Sequence, residues 1–271
     1  MAPEAFFLPV AGGQRFCLYH PPAAAGQARG AMLYLHPFAE EMNKSRRMAA
    51  LLARRLATQG HAVLQVDLHG CGDSAGDFGD ATWASWLHDV RAARDWLRQR
   101  CDGPLWLWGL RAGGLLAVDA ARSIEEPANF LFWQPAVSGQ QHLQQFLRLK
   151  VAGEMLGGES KGAMAAIRRQ LDESQSPEIA GYRLNPELAR GLEAAELTPP
   201  AQPGHVVWLE LSTRDDATLP PASVKRIEQW QAAGHDVAAQ IVQGPAFWQT
   251  TDIEEAPALI DASIAALAAR A

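Results

Sequence analysis

The chain has 271 residues, of which 48% are hydrophobic and 20% are charged, as in globular proteins that can bury a large core. Its formal net charge of −6 gives no electrostatic basis for a nucleic-acid partner or an anionic membrane surface. Three scattered cysteines, the lack of a signal peptide and the lack of a long apolar run predict a cytoplasmic protein without disulfides, metal, cofactor or membrane insertion.

Short hydrophobic runs alternate with amphipathic runs through the first half of the chain. The segments AFFLPV and RFCLYH, around Gly12-Gly13, predict a hairpin. The runs GAMLYLH and HAVLQVDLHG are typical of strands buried on both faces, and the segment between them has a helical period that ends at Gly60. An amphipathic helix, a strand (PLWLWGL), a helix (AGGLLAVDAARS) and a strand at 129–136 follow.

The alternation of strand and helix patterns is interrupted between residues 138 and 202. This segment contains helical patches around a loop of small residues at 157–163, and no strand signal. Two further strands, HVVWLEL and VAAQIVQG, and two helices follow it. The pattern predicts a mostly parallel eight-stranded sheet built from 1–137 and 203–271. Residues 138–202 are predicted to form a helical lid over the carboxyl ends of the strands, where such sheets bind ligands.

The turn after the fifth predicted strand carries an unexpected residue. In PLWLWGLRAGGLLAV a buried strand, a sharp turn and a helix follow one another, the layout in which G-x-S-x-G presents a nucleophilic serine. Here the turn is GLRAG, so Arg111 occupies the position of the serine. Since a guanidinium stays protonated near neutral pH, Arg111 cannot be a nucleophile.

The predicted layout has eight strands, a sharp turn (residues 109–113, the elbow) after the fifth strand and a helical insertion after the sixth. This layout resembles the α/β-hydrolase fold over essentially the whole chain. Three segments are similar to a narrower group, the exosortase A system-associated hydrolase 2 family: HPFAEEMNKSRRMAALLARRLA, QVDLHGCGDSAGDFGDATWASWLHDV and LWLWGLRAGGLLA. That resemblance implies a bacterial setting beside exopolysaccharide and PEP-CTERM sorting genes. It does not by itself imply a mechanism.

The fold resemblance implies a triad of serine, acid and histidine in that order along the chain. The acid loop after the seventh strand retains Asp216, with Asp215 beside it as an alternative. After the eighth strand, where a histidine is expected, the chain has Phe247 and Trp248, and no histidine follows His235. These aromatic residues either fill the vacated position or stack on a sugar ring. Without serine and histidine, the acyl-enzyme route is closed.

Arg111 has two possible roles. At a helix N-terminus, where N–H groups already favour an anion, its guanidinium would bind a carboxylate or phosphate of a ligand. Alternatively, it would pair with an internal acid and fill a dead site, because a buried arginine must find a partner. The candidate acids are Glu40, Glu41 and Asp216.

The segment HPFAEE follows the third strand, where the fold resemblance implies the oxyanion loop. The N–H groups of Phe38 and Ala112 are therefore candidates for an anion-binding pair. His36 is either an acid or base, or a residue that hydrogen-bonds the loop backbone. Glu41 would position a water or a substrate group if it faced Arg111, and would otherwise brace the loop.

Three functions remain open from the sequence. In the first, which the residues favour, the protein binds an anionic, acylated or saccharide-linked small molecule, or a pathway partner, without serine-hydrolase chemistry. In the second it is an unorthodox hydrolase of an ester, thioester or peptide-like substrate that uses His36, Glu41, Arg111 and Asp216. In the third it is a scaffold with a vestigial pocket.

Overall fold

The computed structural model describes residues 2–23, 28–124, 126–156 and 162–270, with the backbone alone described at 151–156. Residues 157–161 of the small-residue loop lie outside this description. The strands are β1 (Glu4–Val10), β2 (Gly13–His20), β3 (Gly30–Leu35), β4 (His61–Val66), β5 (Leu105–Leu110), β6 (Ala128–Trp133), β7 (Glu178–Ile179), β8 (Tyr182–Arg183), β9 (His205–Ser212) and β10 (Asp236–Gln243). The α-helices are α1 (Glu40–Thr58), α2 (Trp83–Arg98), α3 (Ala112–Arg122), α4 (Gly139–Leu156), α5 (Ala163–Asp172), α6 (Pro186–Ala194), α7 (Pro221–Ala232) and α8 (Pro257–Ala268).

Eight of these strands form one sheet in the order β1-β2-β4-β3-β5-β6-β9-β10. The six strands β4, β3, β5, β6, β9 and β10 are parallel to one another, and β2 pairs with β4 in the antiparallel direction. The predicted hairpin is confirmed: β1 and β2 pair from Val10 opposite Gly13, across a turn in which Gly12 and Gly13 have φ of 83° and 124°. The α/β-hydrolase fold expected from the sequence is thus confirmed.

Helices cover both faces of the sheet. Helices α2, α3 and α7 pack on one face, and α1 and α8 on the other. All residues of β3 and β5 are buried, which explains why these strands are continuously hydrophobic in the sequence. Within the described residues, none of the helices has both the length and the hydrophobicity that a membrane crossing requires.

Several tryptophans lie in this core, as expected, and most of them satisfy the indole N–H. Trp133 donates to Ser263 Oγ at 2.9 Å, and Trp208 donates to Glu210 Oε1 at 2.9 Å. Trp230 donates to the carbonyl oxygen of Leu197 at 2.8 Å. A buried indole needs such a partner, since an unpaired donor in the core costs about 1–3 kcal/mol.

The insertion between β6 and β9 consists of α4, α5, α6 and a small hairpin. The expectation that it holds no strand is wrong, because β7 and β8 form a two-residue antiparallel pair. A strand of two residues is too short to show a period-2 pattern, and the turn between them, at Ala180 and Gly181, has positive φ at both positions. The turn at Ala180 and Gly181 therefore determines where β7 and β8 pair.

The insertion packs closely on α2, and its own helices pack closely on one another. A Cβ on Gly191 in α6 would lie 2.1 Å from Cβ of Trp83 in α2, and a Cβ on Gly139 in α4 would lie 1.7 Å from the carbonyl oxygen of Leu192. These positions require glycine because the helices approach at backbone distance. The first contact holds α6 against α2, and the second holds α4 against α6 within the insertion.

Candidate functional site

Arg111 lies on a strained turn between β5 and α3. It is the N-cap residue of α3, with φ 55° and ψ −120°, a backbone conformation that non-glycine residues rarely adopt. Its N–H donates to the carbonyl oxygen of Trp133 at 3.0 Å, and its own carbonyl accepts from the N–H groups of Gly114 and Ala136. Three backbone hydrogen bonds thus hold the elbow in place although the serine is absent.

The two glycines that flank Arg111 make this turn possible. A Cβ on Gly109 would lie 2.4 Å from the nitrogen of Gly114, and a Cβ on Gly113 would lie 2.2 Å from the carbonyl oxygen of Leu35. The helix α3 therefore begins in backbone contact with the end of β3.

A second strained residue lies on the loop after β3. Ala39 is the N-cap residue of α1 and has φ 50° and ψ −126°, close to the angles of Arg111. Because β3 and β5 are neighbours in the sheet, α1 and α3 begin at the same edge. The N–H groups of Phe38 and Ala112 have no backbone hydrogen bond to any described residue. Both N–H groups of the predicted anion-binding pair are thus unpaired within the described backbone.

The side chain of Arg111 is held by three neighbours. Its Nε lies 3.3 Å from Glu41 Oε1, and its Nη2 donates to Gln145 Oε1 at 3.4 Å. The guanidinium carbon lies 5.6 Å from the ring centroid of Trp248, within cation–π distance. Both polar contacts are longer than the 2.7–2.9 Å typical of charge-assisted hydrogen bonds. The guanidinium is therefore positioned by these groups without using all its donors.

Glu41 is the acid that faces Arg111. Its Oε2 is buried without a hydrogen-bond partner among the described residues and lies 4.0 Å from His142 Nε2. Burial raises the pKa of the Glu41 carboxyl above its ordinary value, while the charge of Arg111 opposes that rise. Glu41 is consequently a carboxyl group whose ionisation depends on Arg111.

His142, in α4, is a site residue that the sequence analysis did not identify. Its side chain is 6% exposed, and burial, together with the charge of Arg111, lowers its pKa to about 3. It is therefore neutral at pH 7. A signal was present in the spacing of GQQHLQQFLRL: His142, Gln145, Phe146 and Leu149 follow the i, i+3, i+4, i+7 pattern of one helix face.

These groups line a pocket of about 650 Å³ beneath α4. Its polar part consists of Glu41, Arg111, His142 and Gln145, with Glu40 and Lys44 paired at 3.5 Å beside them. Its hydrophobic part consists of Phe38, Phe146, Leu149 and Trp248. Such a pocket accommodates a molecule with one charged or polar end and a hydrophobic body.

His36 lies behind the loop and not in this pocket. Its Nδ1 lies 2.8 Å from the carbonyl oxygen of Pro37, and its Nε2 accepts from the N–H of Leu68 at 3.3 Å. Burial lowers its pKa, so the ring is neutral and both nitrogens are engaged by backbone. Of the two roles considered for His36, the geometry matches the bracing of the loop.

Asp216 is exposed and does not line the pocket. Its neighbour Asp215 is also exposed and accepts a hydrogen bond from Gln243 Nε2 at 2.7 Å. The structure therefore does not bring either acid of this loop to Arg111. Of the three candidate acids, Glu41 is the one that pairs with Arg111.

Phe247 and Trp248 have different positions. Phe247 is fully buried and packs edge to face on Trp133, with ring centroids 6.1 Å apart. Phe247 thus belongs to the core and does not contact the pocket, although the sequence analysis named it as a binding residue. Trp248 lines the pocket beside Arg111, so it occupies the region that a triad histidine would need.

Comparison with known proteins places these observations in context. The family model Hydrolase_4, described as serine aminopeptidase, S33, matches residues 26–175, just over half of the chain. No curated protein sequence matches the chain.

Solved structures with the same fold share little sequence with it. Est1E from Butyrivibrio proteoclasticus, with ferulic acid bound, is 18% identical with a TM-score of 0.68, over 97% of this chain and 100% of that one. A monoglyceride lipase variant from Saccharomyces cerevisiae, in complex with a substrate analogue, is 16% identical with a TM-score of 0.64, over 98% and 94% of the two chains. The serine hydrolase XC6422 from Xanthomonas campestris is 17% identical with a TM-score of 0.59, over 99% and 93%.

Proposed function

Given that the chain belongs to the Hydrolase_4 family of serine aminopeptidases (S33), we propose that it uses the elbow to bind an anion and not to attack an acyl group. The observation that carries this proposal is the guanidinium of Arg111 at the nucleophile position, facing a 650 Å³ pocket. Trp248 lies where a general base would have to stand. Ser-His-Asp chemistry needs both missing groups, whereas anion binding needs only the donors that are present.

The pocket walls indicate the class of ligand. A guanidinium with N–H donors to spare, beside two free backbone N–H groups, suits a carboxylate or a phosphate. The hydrophobic side of the pocket, which Phe38, Phe146 and Trp248 form, suits an acyl chain or a flat ring. The Est1E structure contains bound ferulic acid. An acylated or saccharide-linked acid is the ligand class that we propose here.

We place this binding activity in the bacterial exosortase and exopolysaccharide system. The support is the similarity of three long segments to the exosortase A system-associated hydrolase 2 family. The ligand would then be an anionic intermediate of that system, or the chain would act with a protein of the pathway.

A second candidate function is supported by Glu41. Its Oε2 has no hydrogen-bond partner among the described residues and its pKa is raised, two properties of a general base in a pocket. In this alternative Glu41 accepts a proton from a water whose oxygen attacks a substrate carbonyl. Arg111 would stabilise the oxyanion that forms, and the proton would return to the leaving group. The site would then use Glu41 and His142 in place of His36 and Asp216.

A panel of p-nitrophenyl acetate, butyrate and octanoate separates the two candidates. We expect the purified protein to hydrolyse these esters no faster than buffer, since it has neither a serine nucleophile nor a base to activate one. Turnover well above buffer that is lost in both Glu41→Gln and Arg111→Ala would establish the second candidate instead. Retention of secondary structure by circular dichroism is the control for both variants.

Replacing Glu41 with glutamine should tighten anion binding about tenfold, because the carboxylate competes with the ligand for Arg111. The measurement is calorimetric titration with 1-octanesulfonate, whose charge does not change between pH 5 and 8. In the wild type the same gain should appear as the pH falls through the raised pKa of Glu41, while His142, with a pKa of about 3, stays neutral.

Glu40→Gln is the matched control for this substitution. Glu40 also lines the pocket but is exposed and pairs with Lys44, so its loss should change the affinity less than twofold. Weaker binding by Glu41→Gln would mean that Glu41 holds Arg111 in the binding position and does not compete with the ligand.

A further inference from the structure

A second pocket, of about 320 Å³, lies at the amino ends of the parallel strands. Trp106, near the start of β5, contributes to it, and Arg111 follows the end of the same strand. At about 3.3 Å per residue, five residues separate the two positions by about 16 Å. The two pockets share no lining residue. This pocket is therefore a separate cavity from the pocket at the elbow.

The lining of this pocket is basic although the chain is acidic overall. Arg29, His61, His205 and Arg270 line it, and no carboxylate does. Asp236 lies beside it, 55% exposed, with its Oδ2 at 2.9 Å from His205 Nδ1 and 3.2 Å from Arg270 Nε. One carboxylate thus accompanies two guanidiniums. Within the described ranges Arg29 makes no ion pair, so the pocket has an excess of positive charge.

The floor of the pocket is built by side chains from three neighbouring strands. Trp106 and Asn129 are in register on β5 and β6, and the N–H of His205 on β9 donates to Asn129 Oδ1 at 2.8 Å. The rings of Trp106 and His205 are nearly parallel, 12° apart, with centroids at 6.4 Å. Since Oδ1 of Asn129 is occupied by a backbone donor, its NH2 group remains as a donor between two flat walls.

His61 adds a buried polar group that the fold does not use. It is 4% exposed, and its Nδ1 has no hydrogen-bond partner among the described residues. Burial and the charge of Arg29 lower its pKa to about 4, so the ring is neutral at pH 7. A buried group without a partner costs stability unless a ligand or water completes it.

From this arrangement we propose a second anion site, in which Arg29 and Arg270 bind the phosphate or carboxylate of a small molecule and Trp106 packs against its body. Guanidiniums present forked donors to a phosphate or carboxylate, and both arginines line this pocket. The volume is at the lower end of the range for small-molecule pockets, so the ligand is small.

Phenyl phosphate is the probe for this site, with benzoate and inorganic phosphate as separate arms that distinguish the head group. The experiment uses Arg111→Met protein, so that binding at the elbow does not contribute, and follows the indole N–H resonances by NMR together with calorimetric titration. We expect millimolar or tighter binding, a shift of the Trp106 indole resonance, and an affinity about tenfold lower in Arg29→Gln and in Arg270→Gln.

Arg55→Gln is the matched control, because Arg55 is an exposed arginine of α1 that lines neither pocket. An equal loss of affinity in Arg55→Gln would show a general charge effect and overturn the site. Absence of heat and of a Trp106 shift at millimolar probe would overturn it as well. Thermal unfolding of each variant verifies that an observed loss does not come from unfolding.

Discussion

Replacing Arg111 with methionine is expected to weaken the binding of 1-octanesulfonate about 100-fold, as measured by calorimetric titration at pH 7. The loss of one member of a largely desolvated ion pair costs about 2–5 kcal/mol, and each 1.4 kcal/mol is a factor of ten. Methionine keeps an unbranched hydrophobic chain beside Trp248 and removes the charge and the donors. Lysine at the same position should lose about tenfold, because it retains the charge without the fork.

The control for this prediction is Arg148→Met. Arg148 is an exposed arginine of α4 that does not line the 650 Å³ pocket, so its removal changes the net charge equally and should leave the affinity unchanged. Unchanged affinity in Arg111→Met would contradict the proposed function, since the anion would then be bound elsewhere. Equal losses of affinity in the two variants would show that each arginine acts only through long-range electrostatic attraction of the anion, which added salt would screen.

The elbow explains why an arginine can serve this purpose at a position built for a serine. The turn is strained at Arg111, at a cost of about 1–3 kcal/mol, and is kept by hydrogen bonds to Trp133, Gly114 and Ala136. None of these bonds involves the side chain of residue 111. The backbone therefore presents whichever side chain it carries to the pocket. A serine nucleophile at position 111 can therefore be replaced by an anion-binding arginine without a change of fold.

The fold could be predicted because its signals are local. Continuous hydrophobic strands, helical periods and the strand–turn–helix pattern of the elbow can each be read from residues that are close together in the sequence. The position of Arg111 at the start of a helix was predicted for the same reason. The small hairpin of β7 and β8 was missed, since two residues carry no periodic signal.

The partners of Arg111 could not be predicted, because they depend on how separate segments meet. Three acids were candidates from the sequence, and the choice of Glu41 follows from the start of α1 beside the start of α3. His142 comes from the insertion, whose orientation over the sheet no local pattern specifies. Asp216 matched the expected acid loop, but a loop position does not fix the direction of a side chain once its histidine is absent.

The wild-type protein should lose about 2 kcal/mol of unfolding free energy between pH 7 and pH 5 through His142 alone. In the folded protein the pKa of this residue is lowered to about 3, whereas in the unfolded chain it is about 6.5. Below pH 6.5 the unfolded chain binds a proton that the folded protein rejects, so stability falls with falling pH. Urea unfolding at the two pH values, for wild type and His142→Gln, measures the difference.

His88→Gln, which removes an exposed histidine of α2, is the control and should retain the full pH dependence of the wild type. His61 and His36, whose pKa values are also lowered, contribute equally to all three proteins and cancel in the comparison. An unchanged pH dependence in His142→Gln would contradict the prediction. It would mean that Glu41, 4.0 Å away, offsets the burial of His142, so that the pKa of His142 in the folded protein equals its value in the unfolded chain. A steeper loss of stability in His142→Gln than in the wild type would show instead that His142 is protonated in the folded protein at neutral pH, and the second candidate function would gain the acid that it requires.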